Sequence, residues 1–184
     1  MTAVDGKSET LFREQTRTIV RASLRSYSTT KGDDTATFVA TCVADIRTCN
    51  HDEFDQMCLQ LDASPTSVQP RVVQIFRETF NDGINWGRIV AFLAFMSHFS
   101  ADCEKKQLYG SVESICEWSV DLITSHLENW IRAEGGWVAI KKAIDVKTKQ
   151  QQSQQQQFFG ANNFMSFVNR GLKAAYRAAV ASVY

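Results

Sequence analysis

The chain has 184 residues, with 20 basic and 20 acidic side chains that cancel to zero net charge. That length allows one domain with a sizeable core, and the balanced charge lacks the basic excess of a nucleic-acid binder. With 44% hydrophobic residues the chain is no acidic disordered segment, and only two prolines and nine glycines leave most of it free to be helical.

The spacing predicts a first helix over about Glu9 to Tyr27, with Leu11, Gln15, Ile19, Val20, Leu24 and Tyr27 inward. Arg13, Arg17, Arg21 and Arg25 recur every fourth residue and read as a solvated row; the neutral total argues against a phosphate-binding stripe. A loop, Ser28 to Asp34, leads to a second helix capped by Asp33 or Asp34, with Phe38, Val39, Cys42, Val43 and Ile46 apolar. Asn50 starts a short third helix. Its buried side is Phe54, Met57, Cys58 and Leu61, and Asp52 and Glu53 suit the dipole of its first turn. Pro65 and Pro70 mark a connection, with Pro70 in the first turn of a fourth helix that carries Val72, Val73, Ile75, Phe76 and Phe80.

The turn Asn81-Asp82-Gly83 breaks that helix. A fifth, about Asn85 to Phe99, is apolar on nearly every side and reads as the centre of a core. It is too short to span a membrane and carries Arg88. Ser100 to Gly110 reads as a polar loop. A sixth helix follows, about Val112 to Glu128, with Ile115, Trp118, Ser119, Leu122, Ile123 and His126 inward. Trp130 to Ile144 reads as helix–turn–helix with Gly135-Gly136 at the corner. Lys147 to Gln157 is a glutamine-rich, solvated linker. A last helix, about Asn163 to Val183, is interrupted by Arg170, Lys173 and Arg177. No segment alternates with period two, so the expected fold is an all-α globular bundle of about eight helices, with the apolar fifth helix buried by amphipathic ones. The expected organisation is a bundle over 1–146, a linker over 147–157, and a tail over 158–184. That tail is either an amphipathic helix or the start of a membrane anchor cut short.

Five cysteines (Cys42, Cys49, Cys58, Cys103, Cys116), odd in number and without CxxC spacing, predict a reducing, intracellular setting. The first residues lack a secretory apolar core, and no apolar run reaches the roughly 18 residues of a spanning helix. Phosphate loops, nucleophile elbows and HExxH helices are missing, and His51, His98 and His126 are scattered. An enzyme is therefore disfavoured, and no cofactor, metal or small-molecule substrate is expected.

Two glycine-bearing stretches carry the specific signal. Phe80-Asn-Asp-Gly-Ile-Asn-Trp-Gly-Arg-Ile-Val-Ala-Phe92 resembles, almost letter for letter, the first homology motif of the Bcl-2 family of apoptosis regulators. Trp130-Ile-Arg-Ala-Glu-Gly-Gly-Trp-Val-Ala139 resembles the second, in the right order and at the right separation. The correspondence runs without gaps from about Phe54 through Phe95 and fades before Val39 and after Ile144. The residues make sense without the name: Gly83 allows a tight turn, Asn85 is a good helix N-cap, and Gly87 permits close approach. Arg88 offers a planar fork to a carboxylate.

The resemblance implies a helical bundle around a central hydrophobic helical hairpin, with a surface hydrophobic groove that receives the amphipathic Bcl homology 3 (BH3) helix of a pro-apoptotic partner. Carried over by position, the groove would be lined by Ile46, Phe54, Met57, Ile75, Phe76, Ala91 and Phe95. Arg88 would meet the partner's aspartate, Asn85 and Gly87 would border it, and Glu78 would lie near the rim. For each apolar residue the competing reading is plain core packing; for Arg88 it is an internal pair with Asp82 or Glu78. The family contains pro-survival members and effectors resembling Bak and Bax, which oligomerise and permeabilise the mitochondrial outer membrane. An effector needs a BH3 segment of its own. Here Val39-Ala-Thr-Cys-Val43-Ala44-Asp45-Ile46 lacks the leucine, puts Val43 at the small-residue position and displaces Asp45 by one. The resemblance thus favours a pro-survival member. It also implies a cytoplasmic location with association at the mitochondrial outer membrane.

Overall fold

The structure is a computed structural model that describes residues 3–25, 33–61, 63–108 and 110–144. The glutamine-rich stretch, the predicted last helix and Tyr27 lie outside the described residues. Those described form an all-α bundle: α1 (Ala3–Leu24), α2 (Asp34–Cys49), α3 (His51–Leu61), α4 (Val68–Phe80), α5 (Trp86–Lys105), α6 (Ser111–His126) and α7 (Glu128–Ala133). An eighth helical stretch covers 139–144. No strand occurs among the described residues.

α5 is the centre. Every residue from Ile89 to Ser100 is buried, and α1, α2, α3, α4 and α6 all pack on it. The continuous apolar run leaves no face for water, so the helix gains most from being surrounded. It also runs on to Lys105, through the predicted Ser100–Gly110 loop. Three things carry it: Ser100 Oγ bonds back to Met96 O (2.8 Å), Cys103 extends the buried stripe one turn past Phe99, and Asp102 pairs with Lys106 at 2.8 Å.

Local chemistry sets the other helices. Asp33, not Asp34, caps α2, accepting from Thr35 N (2.9 Å) and Ala36 N (3.0 Å). Val39, Val43 and Ile46 are buried, and Phe38 and Cys42 are half-buried. All four predicted α3 residues are buried. Pro70 sits in the first turn of α4; Val72, Ile75 and Phe76 are buried, and Val73 and Phe80 are only half-buried.

α1 buries Ile19, Val20 and Leu24 as expected but departs at its start: Leu11 is 72% exposed, Gln15 is half-buried, and Phe12, Thr16 and Ser23 join the buried side. Partners decide this. Trp137 donates its Nε1–H to Thr16 Oγ1 (3.0 Å), and the Arg132 guanidinium lies 4.9 Å from the Phe12 ring centre. The arginine row is open to solvent as expected, and it also faces an acidic row on α6: Arg13 with Asp121, Arg17 with Glu117 (3.0 Å), Arg21 with Glu113 (3.0 Å) and, just past the end of α1, Arg25 with Glu113. On α6, Ile115, Cys116, Ser119, Val120 and Ile123 are buried, Trp118 and Leu122 are half-buried, and His126 is exposed rather than inward.

The two glycine motifs meet in space. Trp86 packs edge-on against Trp130, with ring centres 5.1 Å apart, and lies 5.9 Å from Trp137. Gly135 and Gly136 end α7 with φ of 102° and 80°. Gly136 N bonds Ile131 O (2.8 Å) and Gly135 N bonds Arg132 O (3.1 Å), the paired closure that a left-handed residue permits. This corner turns the chain so that Trp137 is fully buried.

Candidate functional site: the α4–α5 corner and the α3/α4 cleft

The corner between α4 and α5 is built by its own backbone. Gly83, at φ 105°, closes a turn through Gly83 N to Phe80 O (3.1 Å). Asn85 then caps α5, its Oδ1 accepting from Arg88 N (2.9 Å). One turn in, Arg88 curls back over the corner. Its Nη1 donates to Thr79 O (3.2 Å) and Gly83 O (3.0 Å), and its Nη2 points to Asp82 Oδ2 at 3.5 Å. Its side chain is 13% exposed. Of the two internal pairs weighed from the sequence, the geometry shows the one with Asp82. Asn85 is half-buried and Gly87 is buried in the first turn of α5.

The apolar residues assigned to the groove are packed. Ile46, Phe54, Met57, Ile75, Phe76, Ala91 and Phe95 are all buried. Phe54 meets Phe95 edge-on at 5.2 Å, and Phe76 meets Phe92 edge-on at 5.4 Å. In this unliganded chain, plain packing describes all seven. Exposing the six large ones together would cost roughly 10–20 kcal/mol, as much as the whole stability of an ordinary domain. A groove lined by these residues would require this packing to open.

The helix arrangement provides a place for that opening. α3 and α4 each pack on α5 more than on each other, so α5 would be the floor of any cleft that opens between them. A surface depression of about 590 Å³ runs along the outer side of α4, lined by Gln69, Pro70, Val73, Gln74, Arg77 and Glu78. Glu78 is the only predicted site residue in it, and it lies one residue from Thr79, whose carbonyl holds Arg88. Leu59, on α3, adds an exposed apolar side chain (67%). Sequence reading missed Val73, Gln74, Arg77 and Leu59. A polar or isolated apolar position on one helix carries no sign of what lies opposite.

A second polar cluster pins α3 to α5. His98 is buried, with Nε2 2.7 Å from Asp55 Oδ1, its ring edge-on to His51 (5.3 Å) and Nδ1 without a hydrogen-bond partner. Burial pushes the His98 pKa down, against the pull of Asp55. The hydrogen bond from His98 holds the Asp55 carboxyl below its usual range.

A family model for apoptosis regulator proteins of the Bcl-2 family matches residues 39–137. The chain belongs to the Bcl-2 family. This member is 38% identical to apoptosis regulator Bcl-2 of Gallus gallus over 87 residues, 47% of this chain and 37% of that protein. It is 36% identical to Bcl-2-like protein 1 of Sus scrofa over 84 residues, 46% of this chain and 36% of that one. The match thus spans little more than a third of either relative's length. Among solved structures, the fold is similar to Trichoplax adhaerens trBcl-2L2 bound to trBak BH3, with a TM-score of 0.67 at 22% identity over 72% of this chain and 99% of that one. It is also similar to chicken BOK, with a TM-score of 0.64 at 18% identity over 73% and 97% of the two chains. Geodia cydonium BHP2 in complex with Lubomirskia baicalensis Bak-2 gives a TM-score of 0.63 at 22% identity, over 75% and 94%.

Proposed function

We propose that this member is pro-survival: it sequesters the BH3 helix of pro-apoptotic partners in the cleft between α3 and α4, acting in the cytoplasm and at the mitochondrial outer membrane. The observation that carries the reading is the Arg88 corner. A guanidinium held by two backbone carbonyls stands between α4 and α5, with its Nη2 edge turned to an exposed carboxylate. A BH3 helix brings apolar anchors at i, i+3/i+4 and i+7 together with an aspartate. The anchors would replace contacts within the cleft, and the aspartate would take the Nη2 edge. Ile46, Phe54, Met57, Ile75, Phe76, Ala91 and Phe95 would line the opened groove; Asn85, Gly87 and Glu78 would border it. Two of the similar structures are complexes named for Bak partners, which supports this partner class.

The α2 helix supports the pro-survival side. Val39, Val43 and Ile46 are committed to the core, and Ala44 and Asp45 face solvent. The helix works as a wall but is a poor donated ligand, because Val43 stands where such a ligand needs a small residue. Affinity should come mainly from apolar burial, at about 25 cal/mol per Å². The exposed edge of the arginine pair sets register and contributes roughly 0–1 kcal/mol.

The test is a fluorescence titration of the full chain with a Bak BH3 peptide. Submicromolar binding, weakened up to about fivefold by Arg88→Ala and abolished by Gly87→Trp, is expected. No binding at 100 μM sinks the reading.

A further inference from the structure

Asp82 stands where a partner's acid would have to stand. We propose that Asp82 is an intramolecular competitor for Arg88: it occupies the guanidinium edge that a partner carboxylate must take, and so sets how strongly acidic helices are preferred over neutral ones. This rests on the reading of Arg88 as the acid-binding residue of the cleft.

The geometry divides the guanidinium in two. Nη1 is held by Thr79 O at 3.2 Å and Gly83 O at 3.0 Å, both fixed main-chain acceptors. These position the arginine without help from Asp82. Nη2 meets Asp82 Oδ2 at 3.5 Å, well beyond the roughly 2.7–2.9 Å of a good charge-assisted bond. The Asp82 side chain is 72% exposed, on a turn whose residues Asn81 to Gly83 are all exposed. Such a contact is loose and easily displaced. Once displaced, the Asp82 carboxylate remains on the same short turn, inside the screening length of about 8–10 Å. It then repels the incoming acid. A neutral ligand pays neither cost. Asp82 therefore lowers affinity for acidic helices without touching the apolar cleft.

The experiment is a two-by-two titration at low salt. Wild-type and Asp82→Asn chains are each titrated with a Bak BH3 peptide and with the same peptide carrying asparagine for its aspartate. Asp82→Asn is near-isosteric and exposed, and its thermal unfolding should match wild type. The expected result is about threefold tighter binding of the acidic peptide by Asp82→Asn, within what a surface charge pair can contribute. Binding of the neutral peptide should not change, and the difference should shrink at high salt. An equal shift for both peptides, or weaker binding of the acidic one, overturns the proposal. If the wild-type chain binds neither peptide, the cleft reading fails, and the competition is then decided with acetate. The Arg88 side-chain NMR signal should move at lower acetate in Asp82→Asn than in wild type; identical titrations overturn the proposal.

Discussion

At the scale of single residues, the strongest demands are made by backbone geometry. Gly135 needs φ of 102°, a region that costs a side chain roughly 1–2 kcal/mol. A Cβ there would sit 3.6 Å from the Ala139 Cβ, an ordinary contact, so strain and not crowding sets the penalty. Gly135→Ala should lower unfolding stability by about 1–2 kcal/mol in urea melts, and an unchanged midpoint would contradict the account of the corner. Residues of this kind were legible in the sequence, since a turn written as Asn-Asp-Gly or Gly-Gly announces its own conformation. Asn85 was legible for the same reason, as a cap is a local bond. The Arg88 pair was legible only as a choice between Asp82 and Glu78; that Asp82 is the one opposite Arg88 depends on how α4 hands over to α5.

At the scale of helices, legibility followed the strength of the apolar pattern. The all-apolar α5 and the four-residue stripe of α3 were readable. The inward side of α1 was readable from Ile19 to Leu24 but not at its start, because Leu11 and Phe12 are equally apolar neighbours and contacts such as that of Arg132 with Phe12 choose between them. The arginine row was visible, but its acidic counterpart lies about 100 residues away in sequence. The best pair of that ladder is Arg17 with Glu117, joined by Nε to both carboxylate oxygens (3.1 and 3.3 Å) and by Nη2 at 3.0 Å. This contact raises the Arg17 pKa and lowers that of Glu117. Arg17→Glu and Glu117→Arg should each destabilise the chain, and the double exchange should recover part of the loss, about 1 kcal/mol or less for a pair open to solvent. Strictly additive losses would show that the ladder contributes nothing.

The α3–α5 pin should make stability depend on pH. His98 has a folded pKa below its unfolded value of about 6.5, so the unfolded chain binds the proton first. Stability should therefore fall as pH drops below about 6.5. Asp55, with a lowered pKa, acts in the same direction: its contribution is present above the unfolded carboxyl value of about 4 and is lost as pH falls through the folded one. Arg47, His51 and Lys105 are the other charged groups that act on this pair. Urea midpoints should drop between pH 7 and pH 5.5 in wild type and drop less in His98→Gln. Equal pH slopes in the two chains would contradict this.

At the scale of the whole molecule, the two homology motifs are one structural unit. Trp86 of the first packs on Trp130 and Trp137 of the second, and α5 between them carries the core and presents Arg88 at its start. Their order and spacing announced the family. The state of the groove was not announced, because the residues that line it by position are the ones the core needs when no partner is bound. Among the described residues no helix is long and apolar enough to cross a membrane. The measurement that bears most directly on the pro-survival claim uses isolated mitochondria treated with an activated Bak-type effector. The wild-type chain should sediment with the mitochondria and suppress cytochrome c release, and Arg88→Ala should suppress it much less. Release provoked by the chain itself, or equal suppression by both chains, would contradict the account.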